Sequence, residues 1–173
     1  YDSARIIGNA KVFGNTKVCN NAKVFGNVQV FGSAYVCDNA LVADVARVYG
    51  NASVYDNALV GGNALVYDNA KVFGNAEVCD NAQVFGDARV YGYTKICDSA
   101  EIKNNTDYIV FKNWWSSGRY FTWTRSNNMW SVGCFYCTGE ELIKKAYKDS
   151  EKSGREYERI VKYVEEIKKE NGK

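Results

Sequence analysis

Residues 64–90 read ALVYDNAKVFGNAEVCDNAQVFGDARV, and this stretch carries the pattern that decides the fold. An aliphatic residue recurs at every sixth position, a small residue stands two positions before it, and in most units a Gly-Asn or Asp-Asn pair follows. Glycine, asparagine and valine recur too densely for a helix, so short strands separated by corners are predicted. The period runs over residues 4–102, with aliphatic positions at Ile6, Val12, Val18, Val24, Val30, Val36, Val42, Val48, Val54, Val60, Val66, Val72, Val78, Val84, Val90, Ile96 and Ile102.

Each six-residue unit has the chemistry of one short strand and one corner. In the unit at residues 70–75 the alanine and the valine point to one side, while Lys71 and Phe73 point to the other. The Gly-Asn pair turns the chain because both residue types accept a left-handed backbone. Strands this short cannot return antiparallel without reversing which residues are buried. We therefore expect a parallel coil with three units per turn, in which each valine stacks on the valine eighteen residues away.

This repeat resembles that of the hexapeptide-repeat, left-handed parallel β-helix family, over residues 4 to about 106. The resemblance implies the left-handed sense of the coil, and family members commonly form trimers. We expect a mainly β protein with a left-handed parallel β-helix of about six coils over residues 1–106. A small α+β domain over residues 107–173, with a three-stranded meander and two helices, is expected to cap it.

Composition limits the functional classes. The net charge is +2, which favours neither nucleic acid nor an anionic membrane as a partner. No apolar run is long enough to span a bilayer and no secretory signal is present, so a cytoplasmic location is expected. The repeat starts abruptly after Tyr1, and we expect a processed or truncated chain without its N-terminal cap.

The chain contains no histidine. Acyltransferases of the hexapeptide-repeat family use a histidine base, and the carbonic-anhydrase branch binds its metal through histidines, so neither site can be transferred to these residues. The repeat also has no inserted loop that could cover a substrate. We therefore expect no catalytic residue, no metal and no cofactor, with a divergent acyltransferase as the last alternative.

Six cysteines raise the question of disulfides. Four of them form two pairs eighteen residues apart and should stack on adjacent coils with their sulfur atoms outward: Cys19 with Cys37, and Cys79 with Cys97. In-register parallel neighbours rarely have disulfide geometry, so free thiols are expected. Cys134 and Cys137 form one CxxC in a predicted strand, where their spacing sends them to opposite faces, and a zinc site is not expected.

The outward side chains differ among the three faces. One face stacks five aromatic residues, the second has Cys19, Cys37, Tyr55, Phe73 and Tyr91, and the third is small and apolar. An aromatic row can simply stabilise neighbouring coils, or it can form a contact with another copy. We predict self-association into dimers or trimers. The predicted interface residues are Phe13, Phe31, Tyr49, Tyr67, Phe85, Leu41 and Leu59.

The period ends after Ile102, and all four tryptophans follow. The composition predicts strands at residues 108–111, 119–125 and 129–136. Capping boxes at residues 138–141 and 153–156 predict the starts of two helices. The first helix is expected to bury Leu142, Ile143, Ala146 and Tyr147, and the second to bury Tyr157, Ile160, Val161, Val164 and Ile167.

A ligand site, if the chain has one, is predicted in this C-terminal domain. Arg119, Phe121, Trp123 and Arg125 alternate onto one side of a strand, near Trp114 and Trp115. Arginines beside aromatic planes suit a base or sugar stacked over a phosphate. The alternative interpretation is a hydrophobic core with arginines at its surface.

Residues 133–141, followed by Tyr157, are similar to the tail of repeat proteins encoded by bacteriophages and prophages. The resemblance implies a phage accessory protein. The function predicted from the sequence is a non-catalytic, self-associating scaffold that binds a partner. The alternatives are an anti-defence protein that sequesters a small nucleotide signal or inhibits a host defence protein, and a divergent acyltransferase.

Overall fold

A computed structural model describes residues 3–171 of the chain. The repeat region forms seventeen short strands, numbered β1 to β17 in chain order. They lie at Arg5–Gly8, Lys11–Val12, Lys17–Val18, Lys23–Gly26, Gln29–Val30, Tyr35–Val36, Leu41–Val42, Arg47–Val48, Ser53–Val54, Leu59–Val60, Leu65–Val66, Lys71–Val72, Glu77–Val78, Gln83–Val84, Arg89–Val90, Lys95–Ile96 and Glu101–Ile102.

The strands wind as a parallel solenoid with three faces. Face 1 contains β1, β4, β7, β10, β13 and β16; face 2 contains β2, β5, β8, β11, β14 and β17; face 3 contains β3, β6, β9, β12 and β15. Every pair is parallel and joins residues eighteen apart, as Val24 does with Val42. The chain completes five turns and adds two further strands. The prediction of a parallel β-helix with three units per turn is confirmed, whereas its left-handed sense stays a prediction from the resemblance.

The interior of the solenoid is packed mainly with alanine and valine side chains. From Ala22 to Ile102 the inward residues of successive units are buried, and they form one continuous cluster. Two small side chains per unit fill this narrow interior, which explains the strict spacing in the sequence. At the first coil Ile6 is half exposed, because the described chain has no coil below it.

The corners are stabilised in two ways. Their first residue has a left-handed backbone, as at Gly74 (φ +70°) and Asp56 (φ +58°). Where that residue is aspartate, its carboxylate accepts a bond from the backbone eighteen residues later: Asp56 Oδ2 accepts from Gly74 N at 3.0 Å. The second corner residue is often asparagine, whose amide donates to the next coil, as Asn39 does to Asn57 at 3.1 Å. The corner residues therefore turn the chain and also join neighbouring coils through side-chain hydrogen bonds.

The prediction of free thiols in the solenoid is wrong. Disulfides join Cys19 to Cys37 and Cys79 to Cys97. Their Cα–Cα distances are 4.6 Å and 4.8 Å, which the spacing of parallel strands imposes and which lie within the range that disulfides bridge. Cys134 is exposed, Cys137 is buried, and both are free. The prediction that they share one strand is wrong, because Cys134 lies in a turn between two strands.

The C-terminal domain consists of a four-stranded antiparallel sheet and two helices. The strands are β18 (Tyr108–Lys112), β19 (Tyr120–Thr124), β20 (Met129–Val132) and β21 (Phe135–Cys137), in that order across the sheet. The predicted strand at residues 129–136 is divided by a turn at Gly133, where φ is +62°, so the sheet gains a fourth strand.

The helices are α1 (Gly139–Asp149) and α2 (Glu151–Asn171). The capping box at Thr138 is confirmed, because its hydroxyl accepts from Glu141 N and the Glu141 carboxylate accepts from Thr138 N. The box predicted at residues 153–156 is wrong, since Ser153 lies inside α2. Ser150 takes that role, and its Oγ accepts from Ser153 N at 3.1 Å. Tyr147, predicted as buried, is 38% exposed.

Polar side chains of the C-terminal domain bond to backbone amides of the last coil. Amides of the last coil would donate to a further coil, and side chains of the C-terminal domain take that place. Thr122 Oγ1 accepts from Lys95 N at 3.1 Å, and Ser126 Oγ accepts from Glu101 N at 2.8 Å. Tyr108 donates its hydroxyl to Arg89 O at 2.8 Å. Among the described residues, neither helix combines the length and apolar composition that a membrane crossing requires.

Candidate functional site

The six residues predicted as a ligand site do not form one open surface. Phe121, Trp123 and Trp115 are buried in the core of the C-terminal domain, together with residues of both helices. The Trp123 indole N–H donates to Asn128 Oδ1 at 3.0 Å, which satisfies its polar atom inside the domain. These rings therefore lie in the core between the sheet and the helices, as the alternative interpretation held.

The other three predicted residues are exposed but separated. Trp114 is 71% exposed and packs edge-on against Trp115, with ring centroids 6.0 Å apart. Arg119 and Arg125 flank opposite ends of β19. Of the three, Arg119 lines a substantial cavity. A ligand role for Trp114, Arg119 and Arg125 stays a prediction.

The cavity beside Arg119 lies where the solenoid meets the C-terminal domain. It has a volume of about 520 Å³, and its walls come from β13 and β16 of the solenoid and from β19 and β20 of the sheet. A second cavity of about 500 Å³ shares Tyr93, Thr94 and Tyr120 with it and is lined further by Tyr91 and Tyr108. We call these two cavities together the junction cleft.

A stacked pair of tyrosines stands at the centre of the junction cleft. The rings of Tyr93, from a solenoid corner, and Tyr120, from β19, lie 4.7 Å apart with an interplanar angle of 10°. The Lys112 ammonium lies 5.6 Å from the centroid of the Tyr120 ring. Burial raises the pKa of Tyr108 to about 12, so this phenol is neutral at physiological pH.

Among the described residues that line the cleft, the charged side chains are Glu77, Lys95 and Arg119. Lys95 Nζ lies 3.3 Å from Glu77 Oε2 on the adjacent coil, so these two charges balance each other. Arg119 has no ionic partner among residues 3–171. These lining groups can bind an anion and an aromatic ring. They offer no pairing of a nucleophile with a base within the part of the cleft that the structure describes.

The aromatic row of face 2 is regular. Successive rings from Phe13 to Phe85 stack at centroid distances of 5.2, 4.8, 5.0 and 5.1 Å, with interplanar angles of 4° or less. Phe13 is 52% exposed, and the other four rings are half-buried. The Arg47 guanidinium lies 5.7 Å from the Tyr49 ring. Leu41 and Leu59 pair with each other on face 1, so the predicted interface residues are divided between two faces.

A group of possible metal ligands lies at the same end of the solenoid. The ligand atoms of Cys79, Asp80 and Cys97 lie within 4.8 Å of one another. The two sulfur atoms are joined in a disulfide, so only the Asp80 carboxylate of this group is available to a cation.

Sequence reasoning identified Arg119 but missed Tyr93, Lys95 and Tyr120, which share its cavity. Tyr93 and Lys95 belong to the repeat, and their distance from the C-terminal sheet could not be read from it. The one available signal was the break in the corner pattern, since Tyr93 occupies a position where asparagine is usual.

Comparison with known proteins supports the repeat architecture. A sequence profile described as the YdcK beta-solenoid repeat matches residues 46–62 and 82–98, and both segments lie within the solenoid. Searches of curated proteins and of solved structures gave no match. Over these two segments the chain is therefore similar to the YdcK beta-solenoid repeat, in agreement with a repetitive β-helix.

Proposed function

We propose that this protein is a non-catalytic β-solenoid scaffold that associates with a second copy of itself through face 2. A solenoid built from structural repeats is compatible with a role that involves no catalysis. The proposal depends mainly on the row of five stacked aromatic rings along face 2, which is partly open to solvent. Contiguous apolar surface of this kind often marks a site of protein–protein contact.

The charges along face 2 favour an antiparallel pair. Its first and third strands carry Lys11 and Arg47, whereas its last strand carries Glu101, and all three side chains are exposed. A two-fold axis at the middle of the face would place Lys11 of one copy opposite Glu101 of the other. Two-fold symmetry repeats every contact between the copies, so the ion pair between Lys11 and Glu101 would form twice.

The rings agree with the same arrangement. Under that symmetry Tyr49 of one copy faces Tyr67 of the other, and Phe31 faces Phe85. Phe13 then faces Lys103, a cation that can lie over its ring. Under this symmetry the two ends of face 2 pair opposite charges, and the aromatic rings between them face one another.

Reversing charges in turn tests this arrangement. Lys11→Glu and Glu101→Lys should each weaken association about tenfold, since like charges would then face each other. The double variant should restore it, and Lys71→Glu on face 3 serves as the matched control. Light scattering after size-exclusion chromatography gives the mass. A wild-type protein that stays monomeric at high concentration, or a double variant weaker than both single variants, would refute the antiparallel pair.

We further propose that the scaffold is a phage or prophage accessory protein in the cytoplasm whose C-terminal domain binds a partner. The support is the resemblance of residues 133–141 and Tyr157 to the tails of phage repeat proteins. An anti-defence role, by inhibition of a host defence protein, is the form this binding would take. Affinity purification of the full chain from a defence-positive bacterial host, compared with the same preparation from a host without the defence protein, would identify such a partner. Turnover of an acyl-CoA by the purified protein would instead favour the divergent acyltransferase.

A second candidate function is the capture of a small nucleotide signal. The unpaired guanidinium of Arg119 at the edge of a cavity favours it. Native mass spectrometry of freshly purified protein would detect such a ligand together with the number of subunits. A spectrum without any bound nucleotide, from cells that produce the signal, would contradict this candidate.

A further inference from the structure

We propose that the junction cleft binds a small molecule that carries a planar ring and an anionic phosphate or carboxylate group. This inference does not depend on self-association through face 2. It rests on the second candidate function, nucleotide capture at Arg119, and widens the ligand class to ring-bearing carboxylates. Binding of the anionic probes by a protein whose native mass spectrum contains no nucleotide would reject nucleotide capture and retain the site. Its two cavities, of about 520 and 500 Å³, are each of the size that small ligands occupy.

The anion-binding element is Arg119. The guanidinium has no ionic partner among the described residues, and it lines the same cavity as the Glu77–Lys95 ion pair. Since that pair is balanced, the cavity has one uncompensated positive charge. A guanidinium binds phosphate and carboxylate through two parallel hydrogen bonds, which gives such groups a specific place in the cleft.

The backbone at Arg119 is held by hydrogen bonds to Asn113. Its carbonyl accepts from Asn113 N at 2.8 Å, and Gly118 N donates to Asn113 O at 2.7 Å. Asn113 is buried, and its side-chain amide donates to the Tyr157 hydroxyl on α2 at 3.1 Å. The turn that presents Arg119 is therefore connected to the core of the domain. A cation held on an ordered turn loses less entropy on binding than one on a free loop.

The ring-binding element is the tyrosine cluster. Tyr93 is 58% exposed although it stacks on Tyr120, so part of its surface is open to a ligand. The second cavity adds Tyr91, Tyr108 and Ile109 to its walls. Aromatic walls of this kind pack against flat rings in offset or edge-on geometry. Ring and anion sites meet at the Tyr93–Tyr120 pair, which lines both cavities.

Two matched pairs of probes test the site. Adenosine monophosphate is compared with adenosine, and indole-3-carboxylate with indole, by isothermal titration against the full chain. We expect one or both anions to bind more tightly than their uncharged counterparts, and the two arms separate a preference for phosphate from one for carboxylate. Equal affinity of charged and uncharged probes, or no binding by any of the four at millimolar concentration, would overturn the proposal.

Variants locate the binding. Arg119→Gln should weaken the anionic probe about tenfold and leave the uncharged probe unchanged, because it removes the charge-assisted hydrogen bonds. Tyr93→Ala should weaken both probes. Arg159→Gln and Tyr163→Ala, at an arginine and a tyrosine exposed on α2, are the matched controls and should change nothing. If the controls weaken binding as much as the cleft variants, the ligand binds elsewhere. Circular dichroism verifies that each variant is folded.

Discussion

Replacement of Gly32 by alanine tests how tightly the coils of the solenoid are stacked. Gly32 is the first residue of a corner and has φ +77°. A Cβ atom at this position would lie 3.0 Å from both N and O of Gly50 on the next coil. Gly92 has nearly the same backbone, with φ +70°, but a Cβ there would meet no atom within 4 Å. The two glycines therefore share the backbone strain and differ in the close contact.

The expected losses follow from these two terms. An alanine with a left-handed backbone destabilises the folded state by about 1–2 kcal/mol. Because alanine also lowers the conformational entropy of the unfolded chain, it stabilises the protein by about 0.4–1 kcal/mol. Gly92→Ala should thus lower the free energy of unfolding by about 1 kcal/mol or less. Crowding against the Gly50 backbone adds about 1 kcal/mol, at the lower end for overpacked sites, so Gly32→Ala should lose about 2 kcal/mol.

The Gly32→Asp variant tests whether a new hydrogen bond between coils can offset the crowding. It introduces the same Cβ, but its carboxylate can accept a hydrogen bond from Gly50 N. Asp44 and Asp68 already bond in this way to Gly62 N and Gly86 N, at 2.8 and 3.2 Å. We expect Gly32→Asp to recover about 1 kcal/mol relative to Gly32→Ala.

Urea unfolding is followed by far-ultraviolet circular dichroism, which reports on the whole chain, and by tryptophan fluorescence, which reports on the C-terminal domain with all four tryptophans. The part of the circular dichroism change that fluorescence does not share belongs to the solenoid. The midpoint at an unchanged slope gives the loss. The reasoning is refuted if Gly32→Ala and Gly92→Ala lose equal stability. It is also refuted if the aspartate variant is no more stable than the alanine variant.

Three further outcomes are expected. Cys19→Ser should lower the free energy of unfolding by about 3 kcal/mol in oxidising buffer and change little in reducing buffer, because the bond to Cys37 closes a loop with a separation of 18 residues. Iodoacetamide should label Cys134 in the folded protein and leave Cys137 unlabelled, as shown by peptide mass spectrometry, since burial raises the pKa of the Cys137 thiol to about 12. Tyr108 should make the stability of the protein depend on alkaline pH, because its pKa of about 12 in the folded state exceeds the usual value of 10.0. Its contribution to the free energy of unfolding is full below pH 10 and disappears as the pH rises toward 12. Thermal melts across this range would measure the change.

Each of these outcomes has its own control. Equal unfolding midpoints for Cys19→Ser and the wild type in oxidising buffer would mean that the disulfide adds no stability. Rapid labelling of Cys137 before unfolding would contradict its burial. Tyr108→Phe should flatten part of the alkaline loss while it costs about 1 kcal/mol at neutral pH, because the bond to Arg89 O is gone. An unchanged alkaline profile in this variant would assign the dependence to other groups.

The sequence predicts the solenoid well because each unit repeats one physical rule. An inward alanine and valine, followed by a residue that accepts a left-handed backbone, determine the strand, the corner and the stacking eighteen residues on. The start of α2 was harder to predict. Ser150 ends α1 in an extended conformation (φ −169°, ψ 155°) and also caps α2, so the two helices share one residue. The later Ser153-Gly154-Arg155-Glu156 sequence matches the capping-box pattern, whereas Ser150 has a serine where that pattern requires glutamate or glutamine.

The disulfides and the ligand site show what a one-dimensional pattern omits. The usual geometry of in-register parallel neighbours favours free thiols, but the strand spacing brings Cys79 and Cys97 within bridging distance. Alternation placed Phe121 and Trp123 on one side of β19, and the structure has both rings in one cluster. That side is covered by the helices, whereas Thr122 on the other side contacts the solenoid. Both faces of the strand are thus covered, and only a tertiary structure reveals this.

The junction cleft exists because the repeat ends there. Within the solenoid, corner asparagines donate to one another from coil to coil, and Asn57 bonds in this way to Asn75 at 3.4 Å. The next position in that ladder is Tyr93, which has no asparagine above it and stacks on Tyr120 of the C-terminal domain. A uniform solenoid repeats the same surface on every coil, whereas both cavities of the cleft combine residues of the solenoid and of the C-terminal sheet. The break in periodicity brings an unlike surface against the last coil, and for this reason the best candidate for a specific ligand site lies at the end of the repeat.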